Sequence, residues 1–254
     1  MIYGMYLSAA GMITSSYQQD LVANNLANSE TTGFKRDLAN FSQRRTADQE
    51  IAGPPSLRNT LLDGVGGGTF ASPTRVDMSQ GVITPTGNNL DAAILGNGFF
   101  TVEGKDGQPR LTRDGRFRID NTGRLTLMTD QANPVLDNKG LPIRLNPDLP
   151  TRFAENGQIL QAEQPVGQLG LADVTDLNQL KKEGGSLFNY PESTTAASAA
   201  TQVQGGFLEG SNVDSATELS TLMNTQRQLE ANANMIRYQD ETLGELVNTV
   251  GKVS

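Results

Sequence analysis

The 254-residue chain contains no histidine, no cysteine and no tryptophan. Without histidine there is no imidazole to act as a general base or to ligate a metal. Without cysteine there is no thiolate nucleophile, no Cys-ligated zinc or iron–sulfur site and no disulfide. Any catalysis would have to draw on carboxylates, Lys, Tyr and Ser/Thr, and the missing disulfides leave the redox compartment open. Charged residues are also sparse, at 19%, and no apolar run reaches the 18 residues expected of a transmembrane helix. The first basic residue is Lys35, so the fairly apolar stretch from Met1 to Ile13 lacks the basic flank of a secretory signal. The expectation is a chain that stays in the cytoplasm or leaves it by a route that does not read a Sec-type signal. A net charge of −8 and a pI near 4.6 argue against nucleic acid as a partner, since that requires a basic surface.

Neutral polar residues fill the space. There are 20 Asn, 17 Gln and 27 Gly against an apolar fraction of 36%. That is too rich in turn formers for a helical bundle and too poor in charge for a disordered tail.

Both ends of the chain read as helical. From 219 onwards, steps of three and four residues pick out Leu219, Leu222, Gln226, Leu229, Ala233, Ile236, Asp240, Leu243, Val247 and Val250. Eight of these ten positions are apolar over more than four heptads, which is the seam of a coiled coil. Ser215-Ala-Thr-Glu218 reads as a capping box that starts this helix, and Gly251 marks its end. At the other end Ile2, Tyr6, Ala10, Ile13, Tyr17 and Leu21 recur at similar steps, predicting a helix from about residue 2 to 28 that Thr31-Thr-Gly33 breaks. The economical arrangement pairs the two helices along these faces, either as a plain intramolecular hairpin or with the seams also packed against other copies of the chain. Asn24, Asn25 and Asn28 stand out, because Asn is a poor helix residue whose amide competes for backbone groups. They read either as caps of a fraying helix end or as amides that bond something specific.

The centre reads as antiparallel β-structure. Turn signals at Gly104–Gly107, Asp114-Gly115, Asn121–Gly123, Asn138–Gly140 and Asn156-Gly157 separate short apolar or alternating runs, predicting consecutive hairpins. Val166–Val174 adds a strand, Asp176–Lys182 a short helix, and Val203–Glu209 leads back to the C-terminal helix. The fold class expected is α+β, with long N- and C-terminal helices paired as a coiled coil and a central antiparallel β domain. The divisions are an N-terminal helix and signature (1–35), a Gly/Pro-rich connection (36–90), a β-rich domain (91–210) and the C-terminal helix (211–254).

Motifs for chemistry are weak. Gly64-Val-Gly-Gly-Gly68 has Thr69 where a dinucleotide fingerprint needs glycine and no Lys-Ser/Thr after it, so it reads as a linker. Glu103, Asp106, Asp114 and Asp120 form the densest acidic set and would be the raw material for glycoside hydrolysis. Three of them, however, occupy turn positions where Asp serves backbone hydrogen bonding. No metal-loop spacing of the EF-hand type is present, and no catalytic residue, cofactor or metal site is expected.

The motifs that remain carry a resemblance. Ala23-Asn-Asn-Leu-Ala-Asn28 followed by Thr31-Thr-Gly-Phe-Lys35 resembles the N-terminal signature of the bacterial flagellar rod and hook proteins. Leu208-Glu-Gly-Ser-Asn-Val213, Gln226-Arg227 and Ala231-Asn-Ala-Asn234 are similar to that family's C-terminal helix motif. Leu90-Asp91, Gly96-Asn-Gly-Phe-Phe100 and Leu111-Thr-Arg-Asp-Gly115 resemble its β domain, and Val166-Gly-Gln-Leu169 with Gly185-Ser-Leu-Phe188 fits the rod members in particular. The resemblance implies a non-enzymatic structural subunit of the flagellar basal body, exported through the flagellar apparatus. Its partners would be further copies and other rod and hook proteins. It also implies that Asn24, Asn25, Asn28 and the C-terminal seam lie at subunit contacts, with Gln226 and Asp240 as polar groups fixing register. The chain is too short for a typical hook subunit, which leaves the larger proximal-rod type and the distal-rod type. The modest length of residues 36–97 favours the former. The rival from another class is a secreted β-rich adhesin or glycan-binding module on a coiled-coil stalk.

Overall fold

The computed structural model describes residues 2–43, 68–196 and 201–250. Most of the glycine loop at 64–68, and the helix stop at Gly251, lie outside the described residues. Among the described residues two α-helices, α1 (Ile2–Ala27) and α2 (Ser215–Val250), flank a region of short strands, so the chain is α+β. It divides into two units. Residues Met1–Leu26, Asp37–Arg75 and Asp214–Ser254 form one, and residues Ala27–Arg36 and Val76–Val213 form the other. No helix among the described residues is long and apolar enough to cross a membrane.

In the helical unit, α2 runs for 36 residues, roughly 54 Å at helical rise. Its cap is Asp214 rather than Ser215: the Asp214 carboxylate accepts from the Thr217 N–H at 2.7 Å. That bond holds the carboxyl below its ordinary pKa. The sequence fits a cap at either residue, and the carboxylate takes the role. The helices also turn different faces inward from those expected. On α2 the more buried positions are Glu218, Leu222, Thr225, Leu229, Asn232, Ile236, Gln239 and Leu243. Leu219, Gln226, Asp240 and Val247 are exposed, the first and last by 50% and 70%. On α1 the buried or half-buried stripe is Gly4, Ser8, Gly11, Ser15, Gln18, Val22 and Asn25, whereas Tyr6 and Ile13 of the expected apolar face are exposed.

The reason is visible at the glycines. A Cβ on Gly4 would stand 2.6 Å from Gln239 Nε2, and one on Gly11 would stand 2.8 Å from Asn232 Nδ2. Seven residues forward on α1 match seven back on α2, so these contacts are antiparallel. Small residues let the backbones approach, and the polar side chains of α2 fill the notches. Strands β1 (Asp37–Gln43) and β2 (Thr69–Val76) pair as a two-stranded ribbon, exposed along most of its length.

The β-rich unit contains β3 (Ile83–Pro85), β4 (Ala92–Leu95), β5 (Phe99–Glu103), β6 (Pro109–Thr112), β7 (Phe117–Ile119), β8 (Leu125–Leu127), β9 (Thr151–Phe153), β10 (Gln158–Gln161), β11 (Gln164–Gln168), β12 (Leu171–Val174), β13 (Lys182–Gly184), β14 (Leu187–Phe188), β15 (Thr194–Ala196), β16 (Gln202–Gly205) and β17 (Phe207–Glu209). Its largest sheet has the order β13-β14-β6-β5-β12-β15, and a second has the order β11-β10-β9. Pairs β16-β4, β17-β3 and β7-β8 complete it. The turns at Gly104–Gly107, Asn121–Gly123 and Asn156-Gly157 do connect paired strands, β5-β6, β7-β8 and β9-β10.

Asp114-Gly115 does not. β6 pairs with β5 and β14 while β7 pairs with β8, and Gly115 packs against the backbone of β4, where a Cβ would lie 1.6 Å from the Ala92 carbonyl oxygen. The helix expected over Asp176–Lys182 is a single 3₁₀ turn, Leu177–Gln179, and the chain then enters β13. The strand expected over Val166–Val174 is broken into β11 and β12. Between the sheets lies one apolar core in which Phe100, Phe117 and Phe153 meet edge to face at 5.2 and 5.8 Å, packed with Leu125, Leu127 and Ile159. Phe99, Leu111, Val174 and Phe188 belong to a second, smaller cluster.

Candidate functional site

A buried cluster of charge in the β-rich unit is assembled from three of the sequence motifs. Thr31–Lys35 leaves the end of α1 through a turn at Gly33, whose φ is +67°. Only glycine fits there, because a Cβ would stand 2.5 Å from both the Arg113 carbonyl carbon and the Asp114 nitrogen. The Gly33 N–H donates to the Glu209 carbonyl oxygen at 2.8 Å, which sets residues 33–36 alongside the end of β17.

Lys35 then points inward. Its Nζ lies 2.5 Å from Glu209 Oε1 and 2.8 Å from the Ser79 carbonyl oxygen, and both charged side chains are fully buried. Arg113, from the Leu111–Gly115 motif, donates from Nη1 to Glu209 Oε2 at 3.0 Å and from Nη2 to the Gly96 carbonyl at 2.8 Å. Its guanidinium sits 5.1 Å from the centre of the Phe99 ring. The Gly81 N–H completes the shell of Glu209, donating to Oε1 at 2.9 Å. One carboxylate thus answers two buried cations. Burial pushes the Lys35 pKa down, against the pull of Glu209 upward. Removing the carboxylate would leave two uncompensated charges in an apolar setting.

Asn212 extends the cluster to each segment by which the chain leaves this unit. Its Oδ1 accepts from the Arg36 N–H at 2.8 Å, and its Nδ2 donates to the carbonyls of Asp77 and Ser79 at 2.8 and 3.1 Å. Arg36 Nε meets Asp77 Oδ2 at 2.9 Å, and the Asp77 N–H donates to the Arg36 carbonyl. Burial works to raise the Asp77 pKa, but hydrogen bonds from Ser79 and Arg36 hold it below its usual value. Phe34 is buried beneath Lys182, whose Nζ lies 4.0 Å above the ring and also donates to the Lys35 carbonyl. All of these groups hold chain segments together. Among the described residues no cluster of acidic side chains is arranged to hold a metal.

The residues singled out from the sequence are spread along the helices. Asn25 is buried and clasps the Asp37 backbone, donating from Nδ2 to its carbonyl and accepting its N–H at Oδ1, both at 2.9 Å. Asn28 Oδ1 accepts from the Thr31 hydroxyl at 3.2 Å, and Asn24 is exposed. Leu222, Leu229, Ala233, Ile236 and Leu243 are half-buried on α2. Gln226 and Asp240 stand on its exposed surface, so neither sets the register of α2 against α1. Lys35, Arg113 and Glu209 were legible only as members of motifs. They are far apart in sequence, and no local period marks them as partners.

Three family descriptions cover much of this architecture. Residues 5–35 match the flagella basal body rod protein family. Residues 93–161 match the flagellar hook protein FlgE/F/G D1 domain, and residues 204–249 the flagellar basal body rod FlgEFG protein C-terminal region. The chain is 32% identical over 253 residues to the flagellar basal-body rod protein FlgF of Caulobacter vibrioides, covering 98% of each. It is 33% identical over 271 residues to the FlgG rod protein of Bacillus subtilis, covering 98% of this chain and 99% of that one. The chain belongs to the flagellar basal-body rod protein family. Membership places this rod protein in the basal body of the bacterial flagellum, as a structural protein of motility. Lys35, Glu209 and Asn212 fall inside the N- and C-terminal matched regions, and Arg113 inside the central one.

Proposed function

We propose that this chain is a non-enzymatic subunit of the flagellar rod whose terminal helices pair as an antiparallel coiled coil and pack against neighbouring subunits. The observation that carries the reading is the outward placement of apolar surface on both helices. Ile13 is 69% exposed and Val247 70%, with Tyr6, Leu219, Met223, Met235 and Tyr238 exposed beside them. A lone hairpin has no use for so much uncovered apolar area, whereas a helical polymer buries it between copies and adjacent rod and hook proteins. In this reading Asn24, Asn28, Leu219, Gln226, Asp240 and Val247 face neighbours, and the Val250 side chain lies outside the described residues. Leu222, Leu229, Ala233, Ile236 and Leu243 line the edge shared by both contacts, and Asn25 supports the base of the N-terminal helix. Gln226 and Asp240 fix the register between subunits rather than within one. Export through the flagellar apparatus precedes assembly, and the assembled rod transmits torque. The modest length of residues 36–97 favours a proximal-rod position.

The test is Ile13→Glu and Val247→Glu, introduced singly at the chromosomal locus. Both positions are exposed, so the isolated chain should keep its helix content and melting temperature. Swimming should be lost and the variant should be missing from purified basal bodies. Normal motility in both strains would refute the assignment of these faces.

A further inference from the structure

We propose that the buried cluster of Lys35, Glu209, Arg113 and Asn212 is a closure latch, which brings the bases of the two terminal helices together and makes their pairing conditional on a completed β-rich unit. The latch is built from chain segments that no local folding event supplies together. Lys35 and Glu209 are separated by 174 positions, and Asn212 is 176 positions from the Arg36 N–H that it accepts. Glu209 reaches its place through β17, which pairs with β3 from Phe207↔Pro85 to Glu209↔Ile83. The Gly210 N–H then donates to the Val82 carbonyl at 2.8 Å. The receptor for Lys35 therefore exists only after β3 and β17 have joined.

Once the Lys35 arm docks, the Asn212 N–H approaches the Phe34 carbonyl at 3.4 Å and residues 33–36 run beside 209–212. The end of α1 at Ala27 and the start of α2 at Ser215 are then joined through about twelve residues of tether. With the latch open, the path from Ala27 back to the β-rich unit runs through the β1-β2 ribbon and the segment it encloses, about fifty residues. The ribbon offers no shortcut, because a two-stranded ribbon is marginal alone and its base is held by the Arg36–Asp77 contacts of the same cluster. Effective concentration falls with roughly the 3/2 power of tether length, so opening the latch should lower helix-pairing frequency by about tenfold.

The absence of native cysteine allows a direct measurement. In the full-length chain, Gly11→Cys and Asn232→Cys place one thiol on each helix at an observed contact. The rate of intrachain disulfide formation in dilute protein, with oxidised glutathione at fixed concentration as the electron acceptor, reports pairing. Lys35→Met removes the docking charge while leaving Glu209 paired with Arg113 and the Gly81 N–H. Asn212→Ala loosens the same arm without touching the buried ions. Hydrogen exchange at Phe100, Val102 and Ile159 reports the β core in each.

Cross-linking about tenfold slower in Lys35→Met, slower also in Asn212→Ala, with core protection retained, is the expected result. Unchanged rates in both variants would overturn the proposal. So would loss of core protection in Lys35→Met, because the cluster would then be holding the β-rich unit itself rather than linking the helices to it.

Discussion

Gly33 and Gly140 offer a matched pair for separating backbone strain from crowding. Both adopt left-handed conformations, with φ of +67° and +78°. Alanine at either costs about 1–2 kcal/mol from the clash of its own Cβ in that region. At Gly140 nothing lies within 4 Å of the added carbon, so the cost ends there. At Gly33 the carbon would stand 2.5 Å from two backbone atoms of Arg113 and Asp114 and 2.7 Å from the Arg113 carbonyl oxygen. These are main-chain atoms on the shoulder that carries the Arg113 guanidinium to Glu209, and they cannot swing aside as a side-chain tip would. Displacing them adds about 1–3 kcal/mol, the usual range for overpacking.

A kilocalorie moves the melting temperature of a domain this size by about 2–4 °C. Gly33→Ala should therefore melt roughly 2–12 °C below Gly140→Ala in the transition of the β-rich unit, followed by calorimetry or by hydrogen exchange of its core strands. The Gly33→Ala chain should also exchange its Asn212 amide faster, since the whole junction shifts with residue 33. Equal melting temperatures for the two variants would refute the claim that the close approach of Gly33 to the Arg113 backbone governs this turn.

Two further tests follow from single groups. Burial lowers the Lys35 pKa from its ordinary value near 10.5, so the unfolded chain holds that proton more tightly than the folded one. The penalty applies in full below the folded pKa and is relieved as pH rises towards 10.5. Stability measured by urea denaturation should thus gain a Lys35-dependent component between neutral and alkaline pH, and Lys35→Met should flatten it. An identical slope in the variant would count against a buried charged lysine. Asp214→Ala should cost about 1 kcal/mol and fray the first turn of α2. The change would be seen as faster exchange of the Thr217 amide, with no change at Ile236.

Much of the β-rich unit was readable from local signals. Asp-Gly, Asn-Thr-Gly and Asn-Gly turns between short alternating runs located three of the hairpins, because positive-φ turns and a period of two are properties of a few neighbouring residues. Asp114-Gly115 looked the same in sequence yet is no hairpin. Its glycine is there for close approach to Ala92, a contact that only the packed sheets create. On the C-terminal helix the expected span is present, but the inward face is shifted by one position on alternate turns. The hydrophobic pattern shows which residues prefer to leave water. It does not show whether the partner will be another helix of the same chain or a neighbour.

The sequence by itself determined that imidazole and thiol chemistry are excluded, that two long helices enclose a run of short antiparallel strands, and that the motifs are those of the rod and hook proteins. The first two follow from composition and from periodicities of two and three to four residues, which are local, and the third from short motifs that resemble those of that family. Only the tertiary structure decided that Gly4 and Gly11 receive the polar side chains of α2, leaving Ile13 and Val247 facing outward. It alone decided that Lys35, Arg113 and Glu209, from three separate motifs, share one buried site. Burial and charge pairing are long-range outcomes of packing, and a lysine near one end of a chain carries no local mark of the glutamate that will neutralise it.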